Sequence, residues 1–215
     1  KPAGHLFAGV LAERAGDLNA AADAYRNAVT LSKGMANAIA IESLVRLGEL
    51  QADRDQKEAT KILGLVLDYY QKHNTLSPAE FVWIGRACRT IDTFPDLKRD
   101  YSRSMADYSR RMFDQALSRD PGFARALVEG GELALSKLNA PAAKKSFQQA
   151  LEFDPNNAKA RVGLAQAIVA SFYAGKGKFG DAKANLQKAL ATDPTDAEAH
   201  ALLAAIAVTD GNLDQ

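Results

Sequence analysis

The feature that most constrains the fold is a set of landmarks that recurs at nearly constant spacing. The tripeptide QAL at 115–117 is followed by Asp-Pro at 120–121, and both return 34 residues later, at 149–151 and 154–155. A third copy, in which Lys188 replaces the glutamine, begins 39 residues further on. Such a spacing predicts an internal repeat, in which each unit buries its apolar face against the next unit.

Residues 124–157 are the most regular of these units. A pattern of large, small and aromatic positions with a closing proline falls on Leu127, Gly130-Gly131, Ala134, Ala143, Phe147 and Pro155. Small residues let two helices approach, and Phe147 is expected to fill the space between repeats. The unit resembles the tetratricopeptide repeat (TPR), a helix-turn-helix of 34 residues. The resemblance implies an all-α, right-handed superhelical solenoid of antiparallel helix pairs, with about 11 helices.

Measured against this unit, the whole chain is expected to form a single solenoid over residues 1–215. Ser77 followed by Pro78 predicts a helix N-terminus, and an apolar stripe predicts one long helix over about 97–117. The last unit is cut short, which predicts further repeats or a partner over its helix. The repeats are placed at 2–34, 36–75 (divergent), 78–121 (long second helix), 124–157, 158–196 (five extra residues) and 197–215 (truncated).

Composition and isolated motifs argue against several function classes. The net charge is +1, so no overall field favours nucleic acid or an anionic membrane. One cysteine, Cys88, excludes an internal disulfide, lacks a neighbouring histidine and is expected to be buried. No apolar run approaches the length of a membrane span. The three histidines are scattered, which favours no metal site.

One motif imitates a nucleotide-binding loop. Residues 175–180 fit the pattern G-x-G-x-x-G, but that chemistry requires a preceding strand, and a helix is predicted there instead. The motif is therefore interpreted as the turn between two helices. With no catalytic constellation in the sequence, the chain is predicted to be non-enzymatic and to need no cofactor.

The resemblance implies that the first helix of each pair lines a concave groove where ligands lie. The places at which some family members clamp a terminal carboxylate hold residues such as Val128 and Val162, so that clamp is absent. The groove is expected to be mostly small and apolar, suited to a helical or extended apolar segment of a protein partner. Its candidate residues are Leu6, Val10, Arg125, Val128, Glu132, Leu135, Lys159, Val162, Gln166, Val169 and Ala205.

A secondary basic strip is formed by Arg99, Arg103 and Arg110. Interleaved aspartates argue against nucleic acid, which leaves a solvated helix face or an acidic protein partner. The predicted function is a protein-interaction scaffold in assembly, secretion or export, in a bacterial periplasm or envelope in preference to the cytoplasm. The alternative is a structural spacer, or a segment that self-associates through its C-terminal helix. The groove itself could also be filled by the chain's own helices or by water.

Overall fold

The computed structural model describes residues 1–32, 38–94, 104–173 and 179–213. Over these residues the secondary structure consists of eleven α-helices, without a strand. The predicted all-α class and helix number are confirmed. The helices are α1 (Pro2–Arg14), α2 (Leu18–Leu31), α3 (Ala38–Ala52), α4 (Gln56–Lys72), α5 (Pro78–Asp92), α6 (Met105–Arg119), α7 (Ala124–Ser136), α8 (Ala140–Phe153), α9 (Ala158–Tyr173), α10 (Gly180–Thr192) and α11 (Ala197–Leu213).

The chain divides into two compact units, unit 1 (Lys1–Arg119) and unit 2 (Asp120–Gln215). In unit 1, the hairpins are α1 with α2, α3 with α4 and α5 with α6; in unit 2 they are α7 with α8 and α9 with α10. The first helices of successive hairpins contact one another, as α1, α3 and α5 in one unit and α7, α9 and α11 in the other. Within a unit, each second helix also packs against the first helix that follows it. These pairs are α2 with α3, α4 with α5, α8 with α9 and α10 with α11. This arrangement is the stacking of helix pairs that the repeat spacing predicted.

Side-chain caps define where several helices begin. Asp17, Asp55 and Asn139 each accept a hydrogen bond from the backbone N–H three residues later, at the starts of α2, α4 and α8. At the start of α5, Ser77 and Glu80 form a capping box with Pro78 in the first turn. The predicted N-terminus at Ser77 and Pro78 is confirmed.

The turns within two hairpins require a left-handed backbone. Gly16, between α1 and α2, has a φ of 79°, a conformation that glycine adopts without steric cost. At the corresponding turn between α7 and α8, Leu138 has a φ of 56°. Its side chain is 94% exposed, so this turn presents an apolar group to solvent.

Close contacts between a glycine and a large side chain occur within the first four hairpins. A Cβ atom built on Gly131 of α7 would lie 2.7 Å from the ring of Phe147 on α8, and one on Gly163 of α9 would also overlap that ring. Phe147 is therefore enclosed by glycines of two neighbouring first helices, and it is fully buried. The expectation that Gly131 permits approach while Phe147 fills the gap is confirmed. Equivalent pairs in unit 1 are Gly9 with Tyr25, Gly48 with Leu63 and Gly85 with Phe113.

The structure describes only part of the two repeats that were predicted to be longer than the regular unit, 78–121 and 158–196. The second helix of the third hairpin begins at Met105, after Ser104, which is not helical. The predicted helical stretch over 97–103 lies outside the described residues, as does most of the glycine motif at 175–180. Helix α9 has 16 residues, against 13 for α7. No helix in the described part of the chain has both the length and the hydropathy to cross a bilayer.

Candidate partner-binding surfaces

The first helices of unit 1 meet around Trp83 of α5, whose side chain is 1% exposed. The guanidinium carbon of Arg86 lies 4.6 Å from the centroid of its ring, and that of Arg46, from α3, lies 5.2 Å away. Both distances are within the range of cation–π attraction. One aromatic ring on α5 thus contacts one cation of its own helix, Arg86, and one from the neighbouring first helix α3, Arg46.

Carboxylates hold each of these guanidinium groups. Arg86 donates from Nε and Nη2 to the two carboxylate oxygens of Glu49 on α3, at 3.0 and 2.6 Å. Arg46 donates from Nε to Glu42 at 2.9 Å and from Nη1 to Glu13 of α1 at 3.2 Å. Because these N–H groups already have acceptors, the network joins α1, α3 and α5 and offers little to a partner's carboxylate.

The same network reaches the second helix α2 through Tyr25. Its hydroxyl donates to Glu13, and the ring is fully buried. Burial raises the pKa of Tyr25 well above its ordinary value, and the hydrogen bond to the Glu13 carboxylate raises it further. Tyr25 therefore stays a neutral hydrogen-bond donor over the whole range in which proteins are stable.

The first helices of unit 2 are joined by polar groups that are more exposed. Lys159 of α9 places Nζ 2.6 Å from Oε1 of Glu132 and 3.4 Å from Oε1 of Glu129, both on α7. Its side chain is 53% exposed. Gln166, two turns further along α9, donates from Nε2 to Glu198 of α11 at 2.6 Å. These contacts show that side chains of all three first helices meet on one face of unit 2.

Two of the predicted groove residues lie in the core. Val128 and Val162 are 3% and 2% exposed, and Val162 packs in a cluster that includes Ala199 and Ile206. The alignment assigned them to the surface, whereas neighbouring helices cover them. The accessible part of this face is consequently more polar than the expected small, apolar groove.

The other predicted groove residues of unit 2 remain accessible to different degrees. Lys159 and Ala205 are exposed, and Arg125, Glu132, Leu135, Gln166 and Val169 are half-buried. Val208, one turn beyond Ala205 on α11, is 65% exposed. It occupies the place in its helix that Leu135 and Val169 occupy in theirs, so each of the three first helices presents one apolar side chain at the same level.

In unit 1, the exposed apolar side chains of α1 are those next in sequence to the predicted groove residues. Leu6 and Val10 are half-buried, while Phe7 and Leu11 are 65% and 50% exposed. The sequence interpretation missed Phe7 and Leu11, although their spacing of four residues places them on one helix face. Of the basic strip, Arg110 is 67% exposed and pairs with Asp107 at 3.3 Å; Arg99 and Arg103 lie outside the described residues.

The described residues bring together neither a metal site nor a reactive thiol. Among the described residues, no three histidine, cysteine or acidic side chains are grouped so that they could hold a metal ion. Cys88 is 2% exposed, as predicted, and burial raises the pKa of its thiol to about 12. A thiol in that state is a poor nucleophile at neutral pH. One cavity, of 370 Å³, lies among α4, α5 and α6 of unit 1.

Comparison with known proteins agrees with this arrangement of helices. The family model described as "Tetratricopeptide repeat" matches residues 173–215. A solved structure of a thermophilic TPR protein from Thermus thermophilus is similar over 97% of this chain and 100% of its own, with a TM-score of 0.71 and 17% sequence identity. This chain has the tetratricopeptide repeat fold.

A second TPR structure, from Parabacteroides merdae, is similar over 98% of this chain and 73% of its own, with a TM-score of 0.53 and 17% identity. No curated protein is similar enough in sequence to count as a relative. At these identities the similarity establishes the TPR fold and leaves the binding surface to be argued from this chain's own residues. The surfaces described above lie on the first helices of the repeats, in unit 1 and in unit 2.

Proposed function

We propose that this TPR chain is a non-enzymatic scaffold that binds a helical or extended segment of a protein partner across α7, α9 and α11. The observation that carries the proposal is the row formed by Leu135, Val169 and Val208. Each first helix of unit 2 contributes one of these apolar side chains, and Val208 is 65% exposed. A row of this kind suits a segment whose apolar side chains recur along one side.

Polar groups beside the row would fix the orientation of the bound segment. The Lys159–Glu132 and Gln166–Glu198 contacts cross between the same three helices, and Lys159 is half exposed. Side chains of this type exchange partners at little cost near a protein surface, because water screens them. A partner segment that is apolar on one side and polar on the other therefore matches this face best.

The expected affinity is modest. Burying each of three apolar side chains contributes roughly 1.5 kcal/mol or more, whereas association costs about 4 to 15 kcal/mol. Only the surplus, together with the polar contacts, appears as binding free energy. The scaffold is accordingly expected to bind reversibly, in a setting such as assembly, secretion or export; the resemblance to bacterial repeat arrays is the support for that setting.

A second candidate, self-association, is favoured by the composition of α11. Besides Val208, this helix exposes several small apolar residues: Ala201, Ala204, Ala205 and Ala207. The same surface in a second copy would bury them symmetrically. Light scattering over a range of concentrations distinguishes the candidates, since a scaffold for another protein stays monomeric and a self-associating segment gains mass.

The scaffold proposal is tested by placing charge on α11. Val208→Asp and Ala205→Asp change exposed positions, so the fold is expected to survive, which circular dichroism would verify. Proteins retained by the immobilised wild-type chain from an extract of its source cells would be identified by mass spectrometry. Both variants should lose those proteins, whereas Leu138→Asp, at a residue 94% exposed in the α7–α8 turn, should retain them. Equal retention by all variants would refute binding at this face.

A further inference from the structure

The cavity of unit 1 lies between two successive hairpins, where the helices leave space. Helix α4 packs less extensively against α5 than α2 packs against α3. The volume of the cavity, 370 Å³, is within the range of small-molecule sites. Three helices contribute its lining residues: Leu67, Tyr70 and Gln71 from α4, Ile84 and Cys88 from α5, and Met105, Tyr108 and Met112 from α6.

The buried part of the lining is rich in sulfur. Cys88, Met105 and Met112 are 2%, 7% and 4% exposed, and Ile84 is buried beside them in the lining. A thioether makes favourable contacts with the edge of an aromatic ring, and a methionine side chain is flexible enough to adapt to the shape of a ligand. Two thioethers and a thiol around one cavity therefore favour an aromatic ring over a saturated group of the same size.

The accessible part of the lining carries polar groups. Tyr70 and Tyr108 are half-buried, and Gln71 is exposed. None of these three side chains has a hydrogen-bond partner among the described residues. Each phenolic hydroxyl donates and accepts, and the amide of Gln71 does both as well. A ligand with one hydroxyl group would find partners of either kind at this side of the cavity.

The charge of the lining limits the ligand further. Among the described residues that line the cavity, none is charged. Arg111 packs against the ring of Tyr108, with its Cζ atom 4.3 Å from the ring centroid, but it is not a lining residue. Moving an ion from water into such a site is costly without a charged partner, whereas a neutral polar group needs only a hydrogen bond. The ligand that fits this lining is therefore uncharged.

We propose that this cavity binds an uncharged aromatic alcohol, with its rings among Cys88, Met105 and Met112 and its hydroxyl group toward Tyr70 and Tyr108. The size of the ligand follows from the volume. At roughly 30 Å³ for each water-sized group, 370 Å³ accommodates about a dozen non-hydrogen atoms. A fused two-ring phenol such as β-naphthol has that size. The site involves unit 1 alone, whereas the protein-binding face proposed above belongs to unit 2.

Calorimetric titration with β-naphthol, at a pH where its hydroxyl is uncharged, tests the class of ligand. Wild type should bind β-naphthol saturably. It should bind β-naphthoate, which carries a negative charge on the same rings, at least about tenfold more weakly. Decahydro-β-naphthol, which keeps the hydroxyl on a saturated skeleton, should bind about threefold more weakly or worse. A smaller difference for either comparator, or no saturable binding of β-naphthol, would overturn the proposal.

Two substitutions on α4 test the location of the site. Leu67→Trp places a larger side chain in the lining of the cavity and should abolish saturable binding. Leu65→Trp is the matched control, because Leu65 is 47% exposed on the same helix and does not line the cavity. It should leave the affinity unchanged. Retained affinity in Leu67→Trp, or an equal loss in both variants, would refute binding at this site.

Cys88 reports on occupancy in the wild-type chain, so this readout remains if Leu67→Trp fails to fold. It is the single cysteine of the chain and lines the cavity. Bound β-naphthol should slow the reaction of Cys88 with a small thiol-methylating reagent, with half of the effect at the Kd obtained by calorimetry. In the urea-unfolded chain the rate should not change, which controls for effects on the reagent. An unchanged rate in the folded chain at saturating β-naphthol would overturn the proposal.

Discussion

The two units repeat the same hairpin but join their first helices by different chemistry. In unit 1, Trp83 and two arginines form a half-buried frame in which carboxylates bind the guanidinium groups. In unit 2, the polar pairs between first helices lie nearer to solvent, and Gly163 of α9 packs against the Phe147 ring of the preceding hairpin. Close approach within a hairpin is thus common to both units, whereas the chemistry that joins successive first helices varies.

Each kind of connection has its own weakness. A half-buried charge network is stable only while every member keeps its partner, because an uncompensated charge is costly away from water. Packing of small against large residues depends instead on volume, since interiors are close-packed and a single added methyl group is felt. The connection between first helices in unit 1 should therefore be most sensitive to losing a central group, whereas the glycine contacts within the hairpins of both units should be sensitive to gaining one.

The largest expected effect comes from removing the centre of the unit 1 frame. Trp83→Ala deletes a ring that is 1% exposed and leaves a cavity beneath two arginines, so we expect a loss of about 3 to 5 kcal/mol in unfolding free energy. Urea unfolding followed by far-UV circular dichroism measures it. Trp83→Phe keeps an aromatic ring and should lose less. A loss under about 1 kcal/mol for the alanine variant would show that the frame is dispensable.

An intermediate effect is expected when the packing of unit 2 is tested by substituting two adjacent glycines of α7. In Gly131→Ala the new methyl group would meet the Phe147 ring at 2.7 Å, and overpacking of this kind costs about 1 to 3 kcal/mol. Gly130→Ala is the control: it has no neighbour within 4 Å, so higher helix propensity should stabilise it by up to about 1 kcal/mol. Thermal unfolding of both variants would reveal the opposite signs. Equal shifts would contradict the role assigned to Phe147.

The smallest expected effect concerns the capping box of α5 in unit 1. Burial acts to raise the pKa of Glu80, but hydrogen bonds from the backbone N–H and hydroxyl of Ser77, and from Tyr69, outweigh it and lower the pKa below its ordinary value. A carboxylate whose pKa is lowered by folding stabilises the protein above its unfolded-state pKa, and this stability is lost as the pH falls through the folded-state pKa.

Glu80→Gln should therefore flatten the loss of stability on acidification and cost roughly 0.5 to 1 kcal/mol at neutral pH. The measurement is urea unfolding at several pH values between neutrality and the acid limit of the fold. Glu58→Gln serves as the control, because Glu58 pairs with an exposed lysine, Lys61, at 3.4 Å. If both variants had the same pH dependence, the capping box would not be the acid-sensitive element.

Local patterns accounted for much of what the sequence predicted correctly. Three correct predictions depend on residue patterns within one hairpin: the helix number, the start of α5 at Ser77 and Pro78, and the contact of Gly131 with Phe147. Such spacing is set by helix periodicity and turn chemistry, which are legible in a short stretch of residues. Phe7 and Leu11 carry a local signal of the same kind, a spacing of four residues. They were missed because the predicted face of α1 was assigned by alignment with the other repeats.

The repeat, its all-α fold and the pairing of its helices were thus determined by the sequence itself. The tertiary structure alone decided that Val128 and Val162 are core residues, that Trp83 contacts both Arg46 and Arg86, and that a cavity forms among α4, α5 and α6. The physical reason is that burial and charge pairing depend on side chains from separate helices. Arg86 and Glu49 are 37 residues apart in the chain, and only folding brings their atoms within hydrogen-bond distance.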